Sequence, residues 1–268
     1  TTGYQNTASG AYALKLNTTG HHNTGIGYVA LCANTTGLYN AGFGSCVLSN
    51  TTTGVSNTGI GHAAVRANTT GSNNVGIGHG ALLTSTTGAN NTAVGKDALY
   101  SNTTASNNVA VGHASLLYNS TGTNNVGVGK NTLNANTTAH NNTAIGACAL
   151  KVNTTGSNNQ AFGRAAMNAN TTGGYNTAVG TQSLYNNTTG CWNTGVGFDT
   201  LCATTTGGCN TATGYRALHS NTTGYRNNAT GYHSLYANTT GAHNTAVGYY
   251  ALAAATTGTF NTAVGNSA

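Results

Sequence analysis

The sequence predicts an all-β protein: a single parallel β-solenoid with one seventeen-residue repeat per coil and about sixteen coils. Three observations predict it. An Asn recurs every seventeenth residue from Asn6 to Asn261, sixteen copies in fifteen steps without an insertion or deletion. The composition is that of ladders and turns, with 39 Gly, no Pro and only 4% charged residues. Each copy follows Asn-Thr-Thr-Gly-x-x-Asn-Thr-Ala-Val-Gly-x-x-Ala-Leu-x-x, a short strand-forming run between small corner residues. No Asn-Gly pair occurs, so tight antiparallel hairpins are disfavoured against parallel coils.

With the unit numbered as slots 1 to 17, each element can be justified in turn. Slots 8 to 10, Thr-Ala-Val, predict a short strand. It ends at slot 11, which is Gly in all sixteen copies, among them Gly27, Gly61, Gly95, Gly129, Gly163, Gly197, Gly231 and Gly265. A universal Gly marks a corner with a backbone geometry that other residues resist. Ala-Leu-x (slots 14 to 16) predicts a second strand and Asn-Thr-Thr (slots 1 to 3) a third. Slot 4 accepts Ala105 and Ala139 in place of Gly, so that corner needs small size and not a positive φ. Slot 15 is Leu in thirteen of fifteen copies, slot 10 is large and apolar in thirteen of sixteen, and slot 3 is always Thr. Slots 3, 10 and 15 are therefore expected inside. Slot 7 is always Asn, which predicts a structural ladder through Asn23, Asn57, Asn91, Asn125, Asn159, Asn193, Asn227 and Asn261. Two large apolar side chains per coil cannot by themselves offset the entropy of ordering seventeen residues. Ladders of identical groups must supply the rest, and they explain the strict count, because a one-residue slip breaks every column at once.

Residues 1–268 are read as one continuous repeat solenoid that begins and ends within a repeat, hence as a segment of a longer repetitive protein. The net charge of +6 is spread along the chain, so a nucleic-acid partner is not expected. No apolar run of about twenty residues exists, so no membrane insertion is expected. Six Cys (Cys32, Cys46, Cys148, Cys191, Cys202, Cys209) show no CxxC and no repeat-locked spacing, which points to free thiols; only Cys191 and Cys209, on adjacent coils, could pair.

Catalysis has little to work with. Asp97 and Asp199 are the only acids, six repeats apart in slot 13 and so about 29 Å apart at about 4.8 Å per coil. Paired-carboxylate hydrolysis needs about 5–9.5 Å. No cofactor is expected. His62, His79 and His113 share slot 12, but Lys96 and Lys130 interrupt that column and oppose a metal. Further along, slot 12 becomes Phe198, Tyr215, Tyr232 and Tyr249, an aromatic ladder that could stack a ligand or make a lateral contact between fibres. Asn-Thr-Thr or Asn-Ser-Thr begins at eleven slot-1 positions, including Asn17, Asn34, Asn68 and Asn238; these are formal glycosylation acceptors read here as turn and ladder formers.

The segment Asn-Asn-Thr-Ala-Val-Gly from Asn90 to Gly95 resembles the head repeats of YadA-type trimeric autotransporter adhesins, and similar units occur in phage tail-fibre and large surface proteins. The resemblance runs through all sixteen copies, with a period of seventeen residues where those heads have fourteen. It implies a left-handed parallel β-roll in an extracellular fibre or adhesin. The expected function is that of a structural, self-associating fibre subunit at a cell or virion surface, adhesive toward a surface glycan or cell-surface partner and without catalysis. Two alternatives stand beside it: a glycan- or nucleic-acid-binding solenoid using the aromatic columns, and an ice-binding solenoid.

Overall fold

The structure, a computed structural model, describes residues 2–268. The described residues contain sixteen three-residue strands and no helix, from β1 (Thr7–Ser9) and β2 (Thr24–Ile26) through β8 (Val126–Val128) and β9 (Thr143–Ile145) to β16 (Thr262–Val264). They form one sixteen-stranded parallel sheet in strict chain order, a β-solenoid. Each residue pairs with its equivalent seventeen positions on, as in Thr7 with Thr24 and Ser9 with Ile26. Two compact units are distinguished, residues 1–138 and 139–268. Both are built of the same coil.

Each coil has one strand, where the sequence predicts three. Slots 8 to 10 form it, while Ala-Leu-x and Asn-Thr-Thr are turns. The reason lies in the backbone. Slot 13 and slot 15 have left-handed φ in coil after coil (Val29 59°, Leu31 50°; Cys46 57°, Leu48 49°), as does slot 6 (His22 57°, Tyr39 58°). Alternating hands cannot run as a strand. They nevertheless ladder between coils: Leu31 N–H donates to Val47 O at 3.0 Å and Ala33 N–H to Ser49 O at 3.0 Å. The N–H groups of Thr35, Thr36 and Gly37 converge on the single carbonyl of Thr52 at 2.9, 3.2 and 3.2 Å. A left-handed Leu costs about 1–2 kcal/mol, and burying its side chain returns about 1.5–3 kcal/mol. Burial wins by a narrow margin, and it does so in every coil.

The core is thinner than expected. Slot 15 faces inward as predicted, with Leu31 through Leu235 fully buried. Slots 3 and 10 do not: Thr36 is exposed, and Ile26, Phe43 and Ile60 are 39–41% exposed. In a three-residue strand only the central side chain can share a face with the interior if its neighbours point out, and slot 9 takes that place. Slot 9 and the small slot 14 are therefore core residues (Ala93, Ala98 and Ala110 all at 0%), not approach points for another chain. They are packed against each other. At two slot-9 glycines a β-branched neighbour leaves no room for a methyl: a Cβ on Gly59 would stand 2.5 Å from Val47 Cγ2, and one on Gly76 2.5 Å from Val65 Cγ2.

Candidate functional site

The interior of each coil carries two columns of buried amides. In slot 7, each Asn uses its side-chain oxygen to accept the backbone N–H of the next: Asn57 N–H donates to Asn40 Oδ1 at 2.9 Å and Asn74 N–H to Asn57 Oδ1 at 3.0 Å. Its Nδ2 reaches the slot-4 carbonyl of the following coil, as Asn57 does to Gly71 at 2.9 Å. The second column is slot 1, whose Asn residues the sequence presents as turn and ladder formers and the structure buries. There Asn34 Nδ2 donates to Asn17 Oδ1 at 2.7 Å and Asn238 Nδ2 to Asn221 Oδ1 at 2.8 Å. Both columns meet at slot 4, where Gly37 O accepts from Asn23 Nδ2 at 2.8 Å and Asn34 Nδ2 at 3.2 Å. A side chain longer than methyl has no room there, and slot 4 has no positive φ. Asn34, Asn68 and Asn238 are fully buried with their amide nitrogens engaged, so the folded chain withholds these formal glycosylation acceptors. The slot-11 glycines all hold φ between 120° and 140°. A Cβ on Gly95 would lie 2.7 Å from Gly112 O.

The outer surface carries everything that varies. In residues 139–268, Phe198, Tyr215, Tyr232 and Tyr249 stack in register, with centroids 5.4, 5.1 and 5.3 Å apart and planes within 18°. His233 lies against Tyr232 and Tyr236 at 4.2 and 4.5 Å, and His219 stacks on Tyr236 at 5.2 Å. Tyr215 and Tyr232, in the middle of the stack, have a ring on each face. Beside them Arg216 Nε donates to Asp199 Oδ2 at 3.3 Å. Burial lowers the proton affinity of His219 and His233, with Arg216 adding to the effect at both. Burial, with the Asp199 charge second, pushes the Cys202 thiol up to about 11.

In residues 1–138, His62 and His79 stack at 5.2 Å, and Asp97 lies 3.8 Å from His79 and 3.9 Å from Lys96. Among the described residues no three His, Cys, Asp or Glu side chains gather into a metal-holding group, and all six cysteines are free. No helix among them is long and apolar enough to cross a membrane.

A second outer column, slot 6, escaped the sequence reading. It is Asn in six consecutive copies from Asn73 to Asn158 and then Tyr175, Trp192, Cys209, Arg226, His243 and Phe260. Tyr175 stacks on Trp192 at 5.9 Å and 10°, and His243 on Phe260 at 4.8 Å and 12°. The Asn run was its sequence signal, since Asn tolerates the left-handed φ held at this slot.

No protein-family model, no curated protein and no solved structure matches this chain.

Proposed function

We propose that the chain is a structural, self-associating subunit of an extracellular or surface fibre, adhesive and without catalysis. One observation carries this reading. The outward face of the strands presents a column of apolar slot-10 side chains, continuous from Ile26 to Val128 in residues 1–138 and interrupted by Thr213 and Thr230 in residues 139–268; Ile26, Phe43 and Ile60 are 39–41% exposed, and Ile145, Val179 and Val196 37–42%. Half-exposed apolar columns on a parallel sheet favour contact with another such face. A second copy offers the same spacing of one residue per coil. Support for a non-catalytic role comes from the acids: Asp97 and Asp199 belong to different units, and each is engaged with basic neighbours. The ice-binding alternative loses support, because the outward face is not a regular Thr array: slot 8 varies among Thr, Val, Ala, Gln and Asn, and slot 10 carries Ile, Val and Phe of unequal size.

The test is sedimentation and light scattering of the chain over a wide concentration range, beside the double variant Ile60→Lys/Val196→Lys. Concentration-dependent association that the variant abolishes is expected. A chain that stays strictly monomeric at high concentration overturns the fibre reading, and thermal hysteresis from that monomer would establish the ice-binding one.

A further inference from the structure

The slot-6 column has a gap. Backbone bonds hold its members in register, with Cys209 N–H on Cys191 O at 3.0 Å and Arg226 N–H on Gly208 O at 3.1 Å. Trp192, 62% exposed, has one face on Tyr175. On its other side the next coil offers only Gly208 and the short Cys209, and the coil after that Tyr225 and Arg226. The result is a cavity of about 380 Å³ lined by Trp192, Gly208, Cys209, Tyr225 and Arg226, with Thr189 and Thr206 on its rim. Among the described residues, Arg226 has no carboxylate within ion-pair distance. Its guanidinium instead sits 6.0 Å from the Tyr225 ring centroid.

We propose that this notch binds a carboxylated pyranose of an acidic polysaccharide, with the free face of Trp192 as platform and Arg226 as the carboxylate's partner. A sugar ring needs an apolar face to lie on, hydroxyl partners at its rim and, if acidic, a cation. The notch supplies each once. On the far wall Tyr225 stands edge-on to His243 at 77°. The cation is also unspent, since Asp199, the only acid in residues 139–268, is taken by Arg216. Tyr215 and Tyr232 cannot serve in this way, because a ring covers each of their faces. The site is independent of the sheet face through which copies associate.

Trp192 is the only tryptophan in the chain, so its fluorescence reports on this notch alone. The intact chain is titrated with an oligogalacturonate, with a neutral galactan oligomer and with a short oligothymidylate, while light scattering follows association separately. A saturable fluorescence change with the oligogalacturonate is expected, tighter than with the neutral oligomer. Arg226→Gln should weaken the acidic ligand about tenfold and leave the neutral one unchanged. Cys209→Phe, which fills the gap without adding a second indole, should abolish binding at an unchanged melting temperature. A flat titration, an Arg226→Gln variant that binds both sugars as before, or tighter binding of the oligothymidylate would each overturn the proposal. None of these results bears on whether the chain self-associates.

Discussion

Two columns of the same amino acid, equally buried, obey different rules. Slot 7 is Asn in all sixteen copies, whereas slot 1 is Asn in eleven of fifteen and gives way to Thr51, Ser85, Thr204 and Ala255. The hydrogen bonds explain the difference. A slot-7 oxygen satisfies a backbone N–H of the next coil, as Asn210 Oδ1 does for Asn227 at 3.0 Å, so losing it strands a buried main-chain donor. A slot-1 oxygen takes only another side chain, as Asn221 Oδ1 takes Asn238 Nδ2, which keeps its bond to Gly241 O at 3.1 Å in any case. The breaks leave a mark where this logic places it. Asn34, Asn68, Asn187 and Asn238, each one coil before a break, have buried Oδ1 atoms without a partner, and so do the hydroxyls of Thr51 and Thr204. A ladder whose rungs bind only one another tolerates gaps, while one that also holds up the backbone does not.

The largest test of that contrast is Asn210→Ala against Asn221→Ala. The first strands Asn227 N–H and removes the Asn210 Nδ2 bonds to Asn193 Oδ1 and Gly224 O, for an expected loss of about 3–5 kcal/mol. The second should lose about 1–2 kcal/mol. Equal losses in chemical denaturation would dissolve the distinction between the columns.

Next in size is the small-residue packing between them. Gly59→Ala drives a methyl against Val47 and should cost about 1–3 kcal/mol. Adding Val47→Ala should recover part of it, with a coupling of about 1 kcal/mol in the double-mutant cycle. Strict additivity would show that slots 9 and 14 do not share space.

Repairing a gap should have the opposite sign. Thr51→Asn supplies the missing donor to Asn34 Oδ1 and replaces an unpartnered hydroxyl. A gain of about 1 kcal/mol, seen as roughly 2–4 °C in Tm, is expected. An unchanged or lower Tm would mean that the break is accommodated in some other way.

The smallest effect concerns pH. The amide ladders are neutral and do not titrate, so a pH response must come from groups such as His219 and His233. Their proton affinities are lower folded than unfolded, so the unfolded chain binds protons first and stability falls as pH drops below about 6.5. A loss below about 1 kcal/mol is expected for each, given their partial exposure. It should be absent from the His219→Gln/His233→Phe variant. A response that persisted in that variant would place the titration elsewhere.

Much of this was legible before any coordinates. The period forces the register of Thr7 with Thr24 and its successors, and invariance at slot 7 signals a ladder that carries backbone. Slot 1 was harder to read, because Asn-Thr-Thr looks equally like a turn or a glycosylation acceptor until burial is known. Trp192 and Arg226 lie near the aromatic column in sequence, but the notch between them is not legible there. It depends on what is missing at Gly208 and Cys209, and a gap acquires meaning only once its walls are placed.

The sequence by itself determined the seventeen-residue coil, the strand at slots 8 to 10, the slot-11 corner and the inward Leu, since each of these is a periodic pattern that chemistry ties to one geometry. Only the tertiary structure decided that slot 10 faces out, that slot 3 is exposed and that Ala-Leu turns instead of extending. Facing depends on the hand of the backbone on either side of a residue. A Leu at φ near +50° carries the same letter as a Leu in a strand, and it is the coil above and below that holds it there.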